Sequence, residues 1–138
     1  MPIKVAWYNP EKTILKGEIS GAWTWEEFHL SIDETHQLLK DVSHPVVIIN
    51  VRMPDAKNPK GNPLPHYSRA TKQMPEHQVM TINVSRDKPL NRMIANILGK
   101  LFPFMPAKFY IADNLDEALA YANKTLTEAN QTASSTST

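Results

Sequence analysis

Residues 45–51 read Pro-Val-Val-Ile-Ile-Asn-Val, and no polar side chain interrupts this run before Asn50. Strands with one buried face alternate apolar and polar residues, whereas strands covered on both faces are apolar throughout. The run therefore predicts a central strand with other elements packed against both of its faces. A sheet of that kind is typical of α/β proteins, in which helices connect successive parallel strands.

The segment before this strand predicts an antiparallel hairpin and then a helix. Apolar residues alternate over Ile3–Trp7, and a second apolar segment covers residues 13–19 after a turn. Thr24 and Glu27 have the spacing of a capping box, so we expect the first helix to begin there. The helix ends before the proline at position 45, and its apolar stripe comprises Trp25, Phe28, Ile32, Leu39 and Val42.

The segment after the central strand predicts alternating helices and strands. A short helix is expected over residues 65–73, and strands are expected over residues 78–84 and 108–112. Asp87 and Asn114 are typical N-cap residues, and an apolar helical face follows each of them. The expected order is β-β-α-β-α-β-α-β-α, an α/β fold with a mixed four- to five-stranded sheet whose later strands are parallel.

The length of the chain and its low-complexity end indicate how many domains to expect and where the domain ends. We expect residues 1–126 to form a single domain, because a chain of 138 residues buries enough surface for one core. Residues 127–138 are rich in Ser, Thr and Ala and are expected to be a disordered tail.

Composition excludes several classes of function. The chain has 15 Lys and Arg against 14 Asp and Glu, a formal net charge of +1, whereas dedicated nucleic-acid binders usually carry a basic excess. It has no cysteine, which excludes thiol catalysis and cysteine zinc sites. No apolar run approaches the roughly 18 residues of a membrane-spanning helix, and Met1 to Lys16 lacks the pattern of a secretory signal. We therefore expect a soluble, cytoplasmic protein.

Catalytic and cofactor motifs are missing from the sequence. None of the four glycines falls in a G-x-G-x-x-G or G-K-[ST] setting, and there is no G-x-S-x-G or H-E-x-x-H motif. One set of metal-ligating residues shares a helix face, His29, Asp33 and His36. Polar residues at those positions also border the apolar stripe, and that interpretation is favoured. We therefore expect no metal, no cofactor and no enzymatic activity.

The proline-rich segment between residues 52 and 66 is the first candidate for function. It leaves the C-terminal end of the central strand, where open α/β sheets bind ligands. Ser68 follows it and is expected near the first turn of the second helix, where exposed amides favour an added phosphate. Ser68 is thus a candidate phosphoacceptor, with an ordinary exposed helix serine as the alternative.

Apolar residues suggest two further contact sites. Trp23 is a candidate for stacking on a ligand, whereas Trp25 is expected to pack the hairpin against the first helix. The end of the third helix has more apolar residues than one helix end usually needs, and basic neighbours flank it. Its candidate partner-binding or ligand-binding residues are Leu98, Leu101, Phe102, Phe104 and Met105.

Several segments together resemble a known family. They are the opening hairpin, Gly21–Phe28 before the first helix, Ile82–Ser85 before Arg92, and Phe109 followed by Leu115–Ala120. Over about residues 3–126 the chain resembles the SpoIIAA-like family of STAS (sulfate transporter and anti-sigma factor antagonist) domains. The resemblance implies a four- or five-stranded sheet with helices mainly on one face. It also implies a non-enzymatic role in partner switching or apolar-ligand binding.

The chain departs from the family at the switching motif. Classical anti-sigma antagonists carry an Asp-Ser-Ser-Gly type motif after the third strand, where this chain reads Asn50–Asp55. The SpoIIAA-like branch is related in fold to lipid-transfer domains of the CRAL-TRIO type, whose third helix can move to open an apolar cleft. Residues 90–105 match that helix in place and character.

Two functional hypotheses follow. The first is a regulatory domain that binds a protein partner or a second copy of itself, through the long loop and the end of the third helix. The second is a carrier or sensor of a lipid or another apolar small molecule, bound between the third helix and the sheet.

Self-association gives a first prediction. Phe102→Asp is expected to shift a dimer or larger species to monomer, because a buried charge in an apolar interface is unfavourable. Light scattering measures the mass, and an unchanged mass in solution would count against this contact.

Overall fold

The computed structural model describes residues 2–101 and 108–136. Within these ranges it contains one five-stranded sheet with the spatial order β1-β2-β3-β4-β5. The strands are β1 (Ile3–Trp7), β2 (Ile14–Ile19), β3 (Val46–Arg52), β4 (Gln78–Val84) and β5 (Lys108–Ala112). β1 is antiparallel to β2, and every later neighbour pair is parallel. The predicted hairpin and the central position of β3 are confirmed.

Helices connect the parallel strands and follow the last one. They are α1 (Trp25–Leu39), α2 (Leu64–Lys72), α3 (Lys88–Leu101) and α4 (Leu115–Thr136). The capping box of α1 is present, with the Thr24 hydroxyl accepting from the Glu27 amide at 3.1 Å. The predicted caps of α3 and α4 are confirmed too, since the Asp87 carboxylate accepts from the Leu90 amide and the Asn114 side chain from the Glu117 amide.

The two faces of the sheet are covered differently. α4 packs on one face through Ala118 and Ala122, whose small side chains let the helix approach closely and become fully buried. The sheet residues of this cluster include Ile14, Val47, Ile49, Met80, Ile82 and Ala112. α1, α2 and α3 lie over the opposite face, where alternate residues of the same strands point.

Two details of the helices differ from expectation. Residues 127–138, predicted to be a disordered tail, are helical as far as Thr136, because the segment contains neither Pro nor Gly to end the helix. In α1 the most buried residues are Ser31, Thr35 and Leu39, whereas Phe28 and Ile32 of the predicted stripe are half-buried. Burial of the two hydroxyls is tolerated because each donates to a backbone carbonyl of its own helix.

The packing under α4 gives a prediction of stability. Ile82 is fully buried there, so Ile82→Ala is expected to lower the free energy of unfolding by about 2–5 kcal/mol through lost contacts and the cavity left behind. The matched control is Leu30→Ala, at a side chain 52% exposed, which should stay within about 0.5 kcal/mol. Urea denaturation measures both, and equal effects would show that this face is not closely packed.

Candidate functional site

A cavity of about 140 Å³ lies between the sheet and helices α1, α2 and α3. We call it the inner cavity. Its wall is mostly apolar, with Ile3, Val5, Ile19, Ile48 and Phe109 from the sheet, Phe28, Ile32, Ala70, Ile94 and Leu98 from the helices, and Met74 from the segment after α2. Native cores contain few voids larger than a water molecule, so a space of this size is unusual in a domain of this length.

The floor of the inner cavity carries two carboxamides in the middle of the sheet. Asn50 on β3 pairs in register with Asn83 on β4, and the Asn50 Nδ2 donates to the Asn83 Oδ1 at 3.3 Å. On the other side of Asn50, Gly17 of β2 leaves the space that the carboxamide occupies, since a Cβ there would lie 2.7 Å from the Asn50 Oδ1. These groups make a polar strip on the sheet side of the cavity, whose lining also includes Thr35, Gln78 and Thr81.

A second, smaller cavity of about 50 Å³ lies toward the C-terminal ends of β3 and β4. We call it the strand-end cavity. Trp23, Arg52, Asn58 and Ser85 line it but do not line the inner cavity. The two cavities share the side chains of Ile19, Phe28, Asn50, Tyr67, Asn83 and Ile94. Neither lining contains an Asp or Glu among the residues that the structure describes.

Arg52 holds the proline-rich segment against this end of the sheet. Its Nη1 donates to the Asn58 Oδ1 and its Nη2 to the Ala56 carbonyl, both at 2.7 Å. The segment also forms a parallel β-bridge between Lys57 and Ala22. The predicted candidate loop is therefore tied to the sheet and contributes Asn58 to the wall of the strand-end cavity.

Trp25 joins α1 to the loop and to α2 instead of to the hairpin. Its ring stacks on the His66 ring at 4.1 Å, and its Nε1 donates to the Lys60 carbonyl at 3.1 Å. This position differs from the predicted contact with the hairpin because α2 and the loop lie over the start of α1. Burial raises the pKa of the neighbouring Tyr67, while the charge of Arg52 lowers it.

His29 pairs with a histidine of another helix. Its Nε2 lies 2.8 Å from the His66 Nδ1, so one ring donates and the other, neutral at that nitrogen, accepts. Burial lowers the pKa of His29 below its ordinary value of 6.5, Arg69 and His66 lower it further, and Asp33 raises it.

Within the set His29, Asp33 and His36, the two histidines have different neighbours. His36 lines the inner cavity, and burial lowers its pKa despite the opposing effect of Asp33. No group of three or more His, Cys, Asp or Glu side chains suited to a metal ion occurs in the described part of the chain.

The structure describes some of the predicted ligand-binding or partner-binding residues and not others. Trp23 is only 6% exposed and lines the strand-end cavity, and its candidacy for stacking on a ligand stays a prediction. Leu98 lines the inner cavity, and Leu101 is half-buried at the end of α3. Phe102, Phe104 and Met105 lie outside the described residues.

Ser68 is not in the first turn of its helix. α2 begins at Leu64, so the backbone amide of Ser68 lies inside the helix and not among the free amides at its start. The side chain is half-buried. The expected electrostatic advantage for a phosphate at Ser68 is therefore lost, because the effect is confined to the first turn.

Several cavity residues were missed by the sequence analysis. Asn50 and Asn83 are carboxamides among the apolar residues of two strands, and that irregularity in both strands was the available signal. Arg52 and Tyr67 gave no such signal, because their roles depend on loop and helix positions that the sequence pattern does not specify.

Comparisons with protein-family models, curated proteins and solved structures found no match for this chain. None of the helices in the described ranges is both long enough and apolar enough to cross a membrane.

The histidine pair gives a prediction of pH dependence. Because the pKa of His29 is lower in the folded chain than its ordinary 6.5, the unfolded chain binds the proton more tightly and stability is lost as the pH falls below that value. His29→Gln keeps a side chain that can bond to the His66 ring but does not titrate. From about pH 7.5 to about pH 5.5, the Tm of the unsubstituted chain should fall further than that of the variant.

The matched control is His44→Gln, at an exposed histidine that is not part of the His29–His66 pair. Thermal denaturation followed by circular dichroism compares the chains. Equal decreases in Tm for the unsubstituted chain and His29→Gln would contradict the assignment.

Proposed function

We propose that this chain binds a small, mainly apolar molecule in the inner cavity. The cavity volume of about 140 Å³ carries the proposal. An engineered apolar cavity of about 150 Å³ stays dry and binds benzene, so the inner cavity has room for one ring or a short chain. The two carboxamides on its floor supply hydrogen bonds that orient such a ligand.

The energetic cost of the empty space supports the same function. The inner cavity is partly open to solvent, so the cost of an enclosed void, about 24 cal/mol per Å³, sets an upper limit of roughly 3 kcal/mol. Single domains are stable by only about 5–15 kcal/mol, so that is a large fraction. Filling the cavity would recover dispersion contacts that the lining residues now lack.

α3 is one wall suited to admit the ligand, as is α2, where, of the residues described, Thr71 alone is buried. Of its 14 residues only Leu90 and Ile94 are buried among the described side chains, whereas Leu98 is half-buried at the cavity. A helix with so few buried side chains needs little free energy to shift from the sheet. A ligand larger than one ring would require that movement. The role is then that of a carrier or sensor of a lipid or another apolar small molecule.

The resemblance to the SpoIIAA-like family of STAS domains belongs to this proposal. An antiparallel hairpin that opens an otherwise parallel sheet supports it. Binding without catalysis is part of the proposal as well. Contact with a protein partner or a second copy of the chain stays a prediction, and its test is the oligomeric state.

Filling the cavity provides the test. Ala70 lines the inner cavity, so Ala70→Leu places three additional carbon atoms in the space. We expect toluene to raise the Tm of the unsubstituted chain, because a ligand that binds only the folded state stabilises it. The same toluene concentration should raise the Tm of Ala70→Leu by less than half as much.

Ala95→Leu is the matched control, because it makes the same change at an exposed position on α3. It should respond to toluene like the unsubstituted chain. If toluene shifted no Tm, or shifted that of Ala70→Leu equally, the proposed site would be wrong.

A further inference from the structure

The indole Nε1 of Trp23 is buried and has no hydrogen-bond partner among the described residues. Trp23 is only 6% exposed and lines the strand-end cavity. Buried polar groups in native proteins are nearly always paired, and each exception needs an explanation. A donor left without a partner beside a cavity is explained if a ligand supplies the acceptor.

The guanidinium of Arg52 lines the same cavity without a carboxylate partner. No salt bridge of Arg52 exists within the described ranges, where the ion pairs are Lys16–Glu18 and Lys88–Asp113. Two of its five N–H donors bond to the neutral oxygens of Asn58 and Ala56, which leaves donors and a full positive charge. A half-buried guanidinium without a counter-ion is electrostatically favourable for an anion.

The rest of the wall supplies donors and no negative charge. Ser85 is buried, and its hydroxyl oxygen accepts from the Asp87 amide, so its own proton is free to be donated. Asp87 itself is exposed, and its carboxylate is used to cap α3 at the Leu90 amide. Tyr67, whose hydroxyl feels the charge of Arg52, lines both cavities.

From these donors we infer that the strand-end cavity binds the carboxylate of an apolar carboxylic acid whose hydrocarbon part occupies the inner cavity. The inference rests on the proposed function and specifies the class of ligand. The strand-end cavity of about 50 Å³ exceeds the roughly 10–15 Å³ that one water needs and has room for a planar carboxylate. Six side chains line both cavities, so the cavities adjoin, and the inferred ligand would span the two.

The experiment compares an acid with its neutral isostere. Isothermal titration calorimetry near neutral pH measures 3-phenylpropionate and 3-phenylpropanamide against the full chain. We expect the acid to bind roughly tenfold more tightly, because hydrogen bonds to a charged acceptor are stronger. Acetate, which lacks the apolar part, should not compete with the acid.

Trp23→Phe is the variant that tests the orphan donor. It removes the N–H and keeps an aromatic ring, so it removes no hydrogen bond of the unliganded chain. We expect the affinity for the acid to fall roughly tenfold and that for the amide to fall less. Unfolding in urea, followed in parallel, separates this effect from a loss of folding.

Arg52→Gln tests the charge, and Asn58→Ala is its control. Arg52→Gln should abolish the preference for the acid over the amide. Because Arg52 also holds the loop, Asn58→Ala removes one loop contact and keeps the charge, so it should preserve that preference.

Failure of the inference differs from failure of the proposed function. Equal affinities for acid and amide, or an unchanged preference in Trp23→Phe, would overturn the carboxylate site while binding of the amide upheld the cavity. Competition by acetate alone would show that the apolar part plays no role. Absence of binding by acid, amide and toluene would overturn both proposals.

Discussion

The hydrogen bond between Asn50 and Asn83 constrains how side chains pack on the face of the sheet that α1, α2 and α3 cover. Two carboxamides in the middle of a covered sheet must keep a partner, because burying one without it costs about 1–3 kcal/mol. They bond to each other across β3 and β4, and the glycine in β2 leaves room for them. Aliphatic side chains cannot pack closely over such a strip without leaving polar atoms unpaired. The inner cavity lies over these two half-buried carboxamides.

The opposite face shows what the same strands do without that constraint. There Val47, Ile49 and Ile82 meet the small residues of α4, and the packing leaves those side chains fully buried. The difference lies in alternate residues of the same two strands, since side chains point to opposite faces along a strand. The small side chains of α4 close one face, whereas the other face combines a second buried cluster around Leu15, Leu39 and Val46 with the inner cavity. Such a division lets a small domain carry a costly cavity without losing its core.

Local patterns predicted most of the elements because each depends on neighbours in the chain. The capping residues Thr24, Asp87 and Asn114 were identifiable since a cap bonds within three residues of itself. α4 continues as far as Thr136, so low complexity alone does not decide whether such a segment is helical or disordered. In α1 the predicted stripe buries Leu39 and faces the inner cavity through Phe28 and Ile32. Ser31 and Thr35 are buried beside it because hydroxyls that bond to their own helix can be buried. The periodicity of apolar residues gives no sign that such hydroxyls are buried.

By itself the sequence determined the α/β class, the central β3, the hairpin and the helix starts, because spacing, capping and turn chemistry act over a few residues. Only the tertiary structure decided which side chains meet. His29 and His66, Trp25 and His66, and Asn50 and Asn83 are distant in sequence and become neighbours through the order and register of the strands. Only the tertiary structure shows that the buried N–H of Trp23 has no hydrogen-bond partner among the described residues. Whether a buried donor has a partner depends on every element packed around it, and no local pattern contains that information.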